Sequence, residues 1–161
     1  MKKVFLTSLA ALCLFVAEAQ LKTPAPSPTQ TIKQDFGLGS IELSYSRPAM
    51  KGRKIFGDLV PFGNVWRTGA NSATLLTFSD EVTIGGKKIA PGKYGLLSIP
   101  GKDSWTLIIS KQTDVTSPAA YKAESDVVRV DVNTMKMTEK MESFTMQFAN
   151  VKPTSCELHV M

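Results

Sequence analysis

Basic and aromatic side chains are concentrated in one stretch of the chain, residues 45–74. This stretch holds five basic residues and only one acid, Asp58. Arginine and tryptophan together suit the recognition of a planar carboxylate or stacking against a sugar ring. A long connection carried on a rigid scaffold is a common location for a binding site. The candidate ligand-binding residues are Arg47, Arg53, Trp66, Arg67 and Asn71.

The same stretch also has a structural interpretation. Trp66 is large enough to close one end of a sandwich, and Gly69 is able to supply a turn with positive φ. Asn71 is suited to cap that turn. Arg67 is able to satisfy buried carbonyl groups or to pair with an acid such as Asp126. The sequence leaves both interpretations open.

Few residues of the chain are suited to catalysis or to metal binding. The single histidine, His159, shares the polar face of a predicted strand with a glutamate, whereas Cys156 lies on the apolar face. Zinc sites need more Cys and His ligands than these. A soft copper(I) site built from thioethers is the remaining alternative, and its candidates are Met135, Met137 and Met141. We therefore predict no catalytic residue, no metal and no cofactor.

Residues 1–19 have the three-part pattern of a secretory signal peptide. Two lysines follow Met1, the segment 4–17 is largely apolar, and Ala17 and Ala19 flank the expected cleavage site before Gln20. The apolar run of 14 residues is shorter than the roughly 20 that span a bilayer as a helix. We expect an exported protein, periplasmic or extracellular, with no membrane span after cleavage.

The mature chain is predicted to contain a spacer and one domain. Pro24, Pro26 and Pro28 recur at every second position, which favours an extended, solvated spacer over residues 20–34. The remaining residues, 35–161, are of a length that suits a single domain. Met161 falls within an apparent strand, so a domain truncated at its C-terminus is an expectation that the sequence leaves open.

From residue 40 onward, apolar and polar side chains alternate with the period of a β-strand. Gly and Pro pairs separate these runs, and the Gly85-Gly86 pair is typical of a two-residue hairpin. Helical periodicity is absent apart from short turns expected within 55–65 and 119–123. The prediction is an all-β fold, an antiparallel sandwich or partly open barrel of about eight to nine short strands.

Several short motifs resemble those of the domain of unknown function 2911 family, which occurs among exported proteins of Bacteroidota. The resemblance covers roughly residues 29–150 and implies export and one compact domain, but it implies no reaction. Pro118-Ala119-Ala120 departs from the Trp-Gly that similar proteins have before Tyr121. The motifs that carry the resemblance are Tyr45-Ser46-Arg47-Pro48, Lys51-Gly52-Arg53-Lys54-Ile55-Phe56-Gly57, Leu59-Val60-Pro61, Val65-Trp66-Arg67-Thr68-Gly69-Ala70-Asn71, Ile84-Gly85-Gly86-Lys87, Pro91-Gly92-Lys93-Tyr94, Ile99-Pro100-Gly101, Trp105, Asp126 and Arg129.

These observations favour a module that binds rather than catalyses. Its ligand is expected to be a glycan or an anionic component of the cell surface. The surplus of basic over acidic residues, 19 against 14, is not clustered on a helix, and we expect no nucleic-acid partner. Two alternatives remain: a hydrolase that uses Asp58 or Asp126 near the same loop, and an interaction protein that pairs through its β edges. The sequence does not predict the oligomeric state.

Overall fold

A computed structural model of the chain describes residues 23–161, and their strands pair only in the antiparallel sense. The predicted signal peptide, residues 1–19, lies outside the described residues, as do the first three residues of the predicted spacer. The strands are β1 (Thr29–Phe36), β2 (Gly39–Ser46), β3 (Thr74–Phe78), β4 (Val82–Ile84), β5 (Lys87–Ile89), β6 (Gly92–Ile99), β7 (Ser104–Ser110), β8 (Asp126–Asn133), β9 (Met146–Lys152) and β10 (Ser155–Val160).

Six of these strands form one open sheet in the order β1-β2-β3-β6-β7-β8. The other four form two hairpins, β4-β5 and β9-β10. The helical structure of residues 23–161 consists of two 3₁₀ turns, Pro118–Ala120 and Ala123–Ser125. No helix in this part of the chain is long and apolar enough to cross a membrane. The all-β fold with open sheets, predicted from the alternation of side chains, is confirmed.

The six-stranded sheet is covered on both faces. One face contributes Leu43, Leu96 and Ile109 to the larger core, and side chains of both hairpins pack against them. Since neighbouring residues of a strand point to opposite faces, Leu97 and Ile108 face the other way. They pack there in a smaller core under the connections that precede β3 and β8.

Strand β1 was not predicted, and it corrects the boundary of the spacer. Residues 29–34, assigned to the spacer, form most of this strand and pair with β2 from Thr29↔Ser46 to Phe36↔Gly39. Pro28 is the last proline of the spacer, and the Thr and Ile residues that follow it favour extended structure. Residues 23–161 therefore contain ten strands, where about eight to nine were predicted. The turn expected within 55–65 is present without forming a helix.

Candidate functional site

Four aromatic rings form a continuous cluster at one end of the sheet. Trp105 extends from β7, and the ring of Phe56 lies against it with a centroid distance of 4.7 Å. Trp66 contacts both rings, at 5.8 Å from Phe56 and 6.2 Å from Trp105, and it also contacts Phe144 at 5.1 Å. All of these contacts are edge-to-face, the arrangement that the quadrupoles of aromatic rings favour. The cluster gives this end of the molecule a rigid apolar floor.

Trp66 is held in the cluster by backbone pairing with the end of β6. The ladder between β3 and β6 stops at Thr74↔Leu96, so the backbone of Ser98 is free to pair with another segment. Trp66 occupies that place: its N–H donates to the Ser98 carbonyl at 2.7 Å and its own carbonyl accepts from Ser98 at 2.9 Å. This pairing also fixes the position of the backbone at the next residue, Arg67.

The guanidinium of Arg67 is only partly matched by protein atoms. Its Nη1 donates to the carbonyl of Thr116 at 3.1 Å, whereas its Nε is buried and has no partner. None of the four ion pairs among residues 23–161 involves Arg67. A buried N–H without an acceptor is unfavourable, so the protein leaves part of the hydrogen-bonding capacity of this guanidinium unused.

The loop after Arg67 is strained and tightly held. Thr68 has φ of 55° although it is β-branched, a conformation that such residues rarely adopt, and its side chain is fully buried. Its hydroxyl donates to Ser98 Oγ at 3.0 Å, and its carbonyl accepts from Thr74 Oγ1 at 2.6 Å. A Cβ on Gly69 would lie 3.1 Å from the Ser46 carbonyl oxygen. Backbone strain that persists under such restraint is found often at functional sites.

The segment that contains Trp66, with the strained loop after it, forms one wall at this end of the sheet. A second wall forms where the segment after β2 pairs with the segment before β9. The N–H of Met50 donates to the Glu142 carbonyl at 2.7 Å, and the N–H of Phe144 donates to the Pro48 carbonyl at 2.9 Å. The Glu142 carboxylate accepts from the N–H of Lys51 at 2.8 Å. These bonds position Phe144 against Trp66 in the aromatic cluster.

A cavity of about 1080 Å³ lies between the two walls. Its size slightly exceeds the roughly 300–1,000 Å³ typical of small-molecule sites. Four cationic side chains line it and one acidic side chain, Glu142. The cations are Arg53, Lys54, Arg67 and Lys140.

Three of the five predicted site residues, Arg53, Trp66 and Arg67, lie together in this lining. Arg53 donates to the carbonyls of its own loop, at 2.8 Å and 3.0 Å. Arg47 and Asn71 are outside the lining. Arg47 donates to the Phe144 carbonyl and to a threonine hydroxyl. Asn71 has φ of 63° and donates to Ser46 Oγ at 3.1 Å, so both residues support the walls.

Sequence reasoning missed the contribution of the connection between β8 and β9. The cavity lining includes Lys140, Met141, Glu142 and Phe144, none of which was among the predicted site residues. The length of this connection was the sequence feature that could have indicated its role. Residues 134–145 form a connection of 12 residues without regular secondary structure, and such loops in small domains are often functional.

The two acids considered for hydrolysis do not line the cavity. Asp58 lies exposed on the turn after Phe56. Asp126 Oδ2 accepts from the Tyr121 hydroxyl and, at 2.8 Å, from Arg129 Nε. Burial and the bond to Asp126 raise the pKa of Tyr121 to about 12. No three His, Cys, Asp or Glu side chains in the range 23–161 come together as metal ligands do.

Residues 27–161 match the model of a family described as protein of unknown function, DUF2911. The chain belongs to the DUF2911 family. The resemblance inferred from short motifs is thereby confirmed, and the DUF2911 match extends past residue 150 to the end of β10 and Met161. No curated protein and no solved structure matches the chain.

The DUF2911 match includes every residue that lines the cavity, from Ser27 to Met161. The motifs 51–57 and 65–71, which carried the resemblance, supply much of its wall and two of the three candidate arginines, Arg53 and Arg67. The family description assigns no reaction and no ligand, so the function has to be argued from the geometry of this cavity.

Proposed function

We propose that the protein is an exported binding module without catalytic activity, and that it holds an anionic ligand in the cavity. Arg67 is the residue that binds the anion. The observation that carries this proposal is the guanidinium of Arg67, a cavity-lining residue that forms no ion pair among residues 23–161 and whose Nε has no acceptor from the protein.

A comparison of the ion pairs formed by the four arginines supports this role for Arg67. The chain contains four arginines, and only Arg129 forms an ion pair among residues 23–161. Arg47, Arg53 and Arg67 donate to neutral oxygens alone. A carboxylate or phosphate accepts two parallel N–H bonds from a guanidinium. Such a ligand would satisfy the Nε of Arg67 and compensate its charge.

The other predicted residues have supporting roles in this proposal. Trp66 offers the apolar wall beside Arg67. Arg53 shapes its loop and, with two lysines, adds positive potential that attracts anions to the cavity. Arg47 and Asn71 hold the segments that form the walls.

Isothermal titration calorimetry with three anionic probes, decanoate, glucuronate and phenyl phosphate, tests the proposal. At least one probe should bind, and Arg67→Gln should weaken it by about tenfold or more, because hydrogen bonds to charged groups contribute roughly 1.5–3 kcal/mol. Lys111→Gln removes the same charge from an exposed position outside the cavity and should leave the affinity unchanged. Binding by no probe, or equal losses in both variants, would contradict the proposal.

A further inference from the structure

The cavity is poor in the side chains that bind sugars. Oligosaccharide sites match many hydroxyl groups with amides, carboxylates and hydroxyls. In the described lining, only Ser27 carries a hydroxyl and only Asn64 an amide. The one carboxylate, Glu142, is engaged by the N–H of Lys51. A sugar buried here would leave several of its hydroxyls without partners, which is unfavourable.

Apolar side chains form most of the lining. Most of them come from three separate segments of the chain. Ile55 and Phe56 belong to the loop after β2, Val65 and Trp66 to the segment paired with β6, and Met141 and Phe144 to the connection before β9. Such a surface favours a hydrocarbon or aromatic body, whose burial is driven by the hydrophobic effect.

Two large apolar side chains of the lining are left in water. Leu59 is 55% exposed and Met141 is 40% exposed. Single exposed apolar residues are ordinary on a protein surface. Here the two belong to different segments of the same cavity, which indicates an apolar surface that a ligand would cover.

The charged side chains of the lining indicate the charge of the ligand's other end. Arg53 is engaged by carbonyls of its own loop. Lys54 and Lys140 form no ion pair among residues 23–161. Together with the unmatched Nε of Arg67, they favour one compact anionic headgroup over a neutral ligand.

We infer that the ligand is an anionic amphiphile, a molecule with one carboxylate or phosphate headgroup and an apolar body. The headgroup binds Arg67, and the body lies against Phe56, Trp66 and Phe144. This inference rests on the proposed function and adds the class of ligand to it. It replaces the sugar stacking that the sequence left open for Trp66 with contact to a hydrocarbon or aromatic surface.

A series of straight-chain probes tests both ends of this ligand by calorimetry. Affinity should rise from hexanoate to octanoate to decanoate, by roughly tenfold for each added pair of methylenes if they are buried. Decanol has the same body without the charge and should bind at least about tenfold more weakly than decanoate. Decyl phosphate should bind comparably to decanoate if the headgroup class is shared, and preference for one of them identifies which headgroup Arg67 accepts.

Variants locate the headgroup. Arg67→Gln should weaken decanoate by about tenfold or more and leave decanol unchanged. Arg67→Lys keeps the charge and should lose less affinity than Arg67→Gln. Lys111→Gln is the control for the change in net charge. Melting curves of each variant establish that it is folded, and Arg67→Lys provides a second test if Arg67→Gln is not.

The outcomes separate this inference from the proposed function. Arg67-dependent binding of glucuronate, with no dependence on chain length among the carboxylates, would overturn the amphiphile and leave the anion-binding module standing. Equal binding of decanol and decanoate, or no binding by any probe, would overturn both. Affinity that rises with chain length and falls in Arg67→Gln supports both.

Discussion

Two arginines, Arg67 and Arg129, stand in opposite relation to their surroundings. Arg129 donates from Nε to Asp126 Oδ2 at 2.8 Å and from Nη2 to the Tyr121 hydroxyl at 2.7 Å. Arg67 makes one bond to a backbone carbonyl and buries its Nε unmatched. Asp126 also has one buried oxygen without a partner, Oδ1, but its charge is already compensated by Arg129.

This difference separates an arginine that serves the fold from one that is available to a ligand. The Arg129 cluster consists of Tyr121, Asp126 and Arg129, and it joins the connection before β8 to that strand. Since Asp126 compensates the charge of Arg129, no external anion is needed there. The Arg67 site has a cavity, a surplus of cations and an unsatisfied donor. Its rigidity comes from the aromatic cluster beneath it, so the comparison predicts that stability and binding depend on different residues there.

Replacing Trp66 with alanine should produce the largest loss of stability. The substitution removes contacts to Phe56, Trp105 and Phe144, and we expect the free energy of unfolding to fall by about 3 kcal/mol. Phe62→Ala is the control, since Phe62 is an aromatic residue of the same loop outside this cluster, and it should lose less than about 1 kcal/mol. Urea denaturation measures both. Equal losses would show that the cluster is not what stabilises this region.

Replacing Asp126 with asparagine should destabilise the protein by a smaller amount. The carboxylate is 10% exposed and Arg129 is 45% exposed, so solvent weakens the pair and we expect a loss of about 1–2 kcal/mol. Asp114→Asn, at an exposed position, should change stability by less than about 0.5 kcal/mol. If the two variants unfold at the same urea concentration, the Arg129 cluster does not stabilise the fold.

Arg67→Met should leave stability nearly unchanged. It removes one bond to a carbonyl, but it also removes a buried donor without a partner, so we expect a change within about 0.5 kcal/mol. Arg129→Met is the matched substitution, and it should cost about 1–2 kcal/mol because Asp126 loses its cation. A loss in Arg67→Met as large as that in Arg129→Met would place Arg67 among the residues that serve the fold.

The last expected effect is a pH dependence at the cluster of Tyr121, Asp126 and Arg129. The pKa of Tyr121 is raised from 10.0 to about 12, so the folded protein holds this proton more tightly than the unfolded chain. The resulting stabilisation is complete below about pH 10 and is lost as the pH rises toward 12. Tyr121→Phe should show a shallower decline of stability over that interval, measured by urea denaturation. Tyr94→Phe, which removes a hydroxyl bonded to a backbone carbonyl, should retain the decline of the unaltered protein.

Strand alternation predicted most of the fold because several strands, such as β8, alternate between more buried and exposed side chains. Val128 and Val130 contact the larger core, whereas Arg129 faces outward, as their spacing indicates. Strand β1 escaped prediction because its alternation is weak: Ile32 and Phe36 are its apolar residues and they are only half-buried. Its place in the sheet depends on pairing with β2, which no local pattern reveals.

The lining of the cavity was predicted in part for a similar reason. Arg53, Trp66 and Arg67 are close in the sequence, so their composition pointed to them. Phe144 and Lys140 reach the cavity through pairing between segments more than 90 residues apart. Whether an arginine is matched depends on such distant partners. The carbonyl of Thr116, which accepts from Arg67, could not have been named from the sequence.

The most direct test of the account is to observe the arginine Nε–H groups by two-dimensional ¹⁵N–¹H NMR while decanoate is added. The four arginines give separate side-chain signals that single substitutions assign. The signal of Arg67 should move as its Nε gains an acceptor, and that of Arg129 should stay in place because its Nε is already bonded to Asp126. An Arg67 signal that does not move, or that moves no more than that of Arg129, would contradict the claim that Arg67 is held ready for an anion.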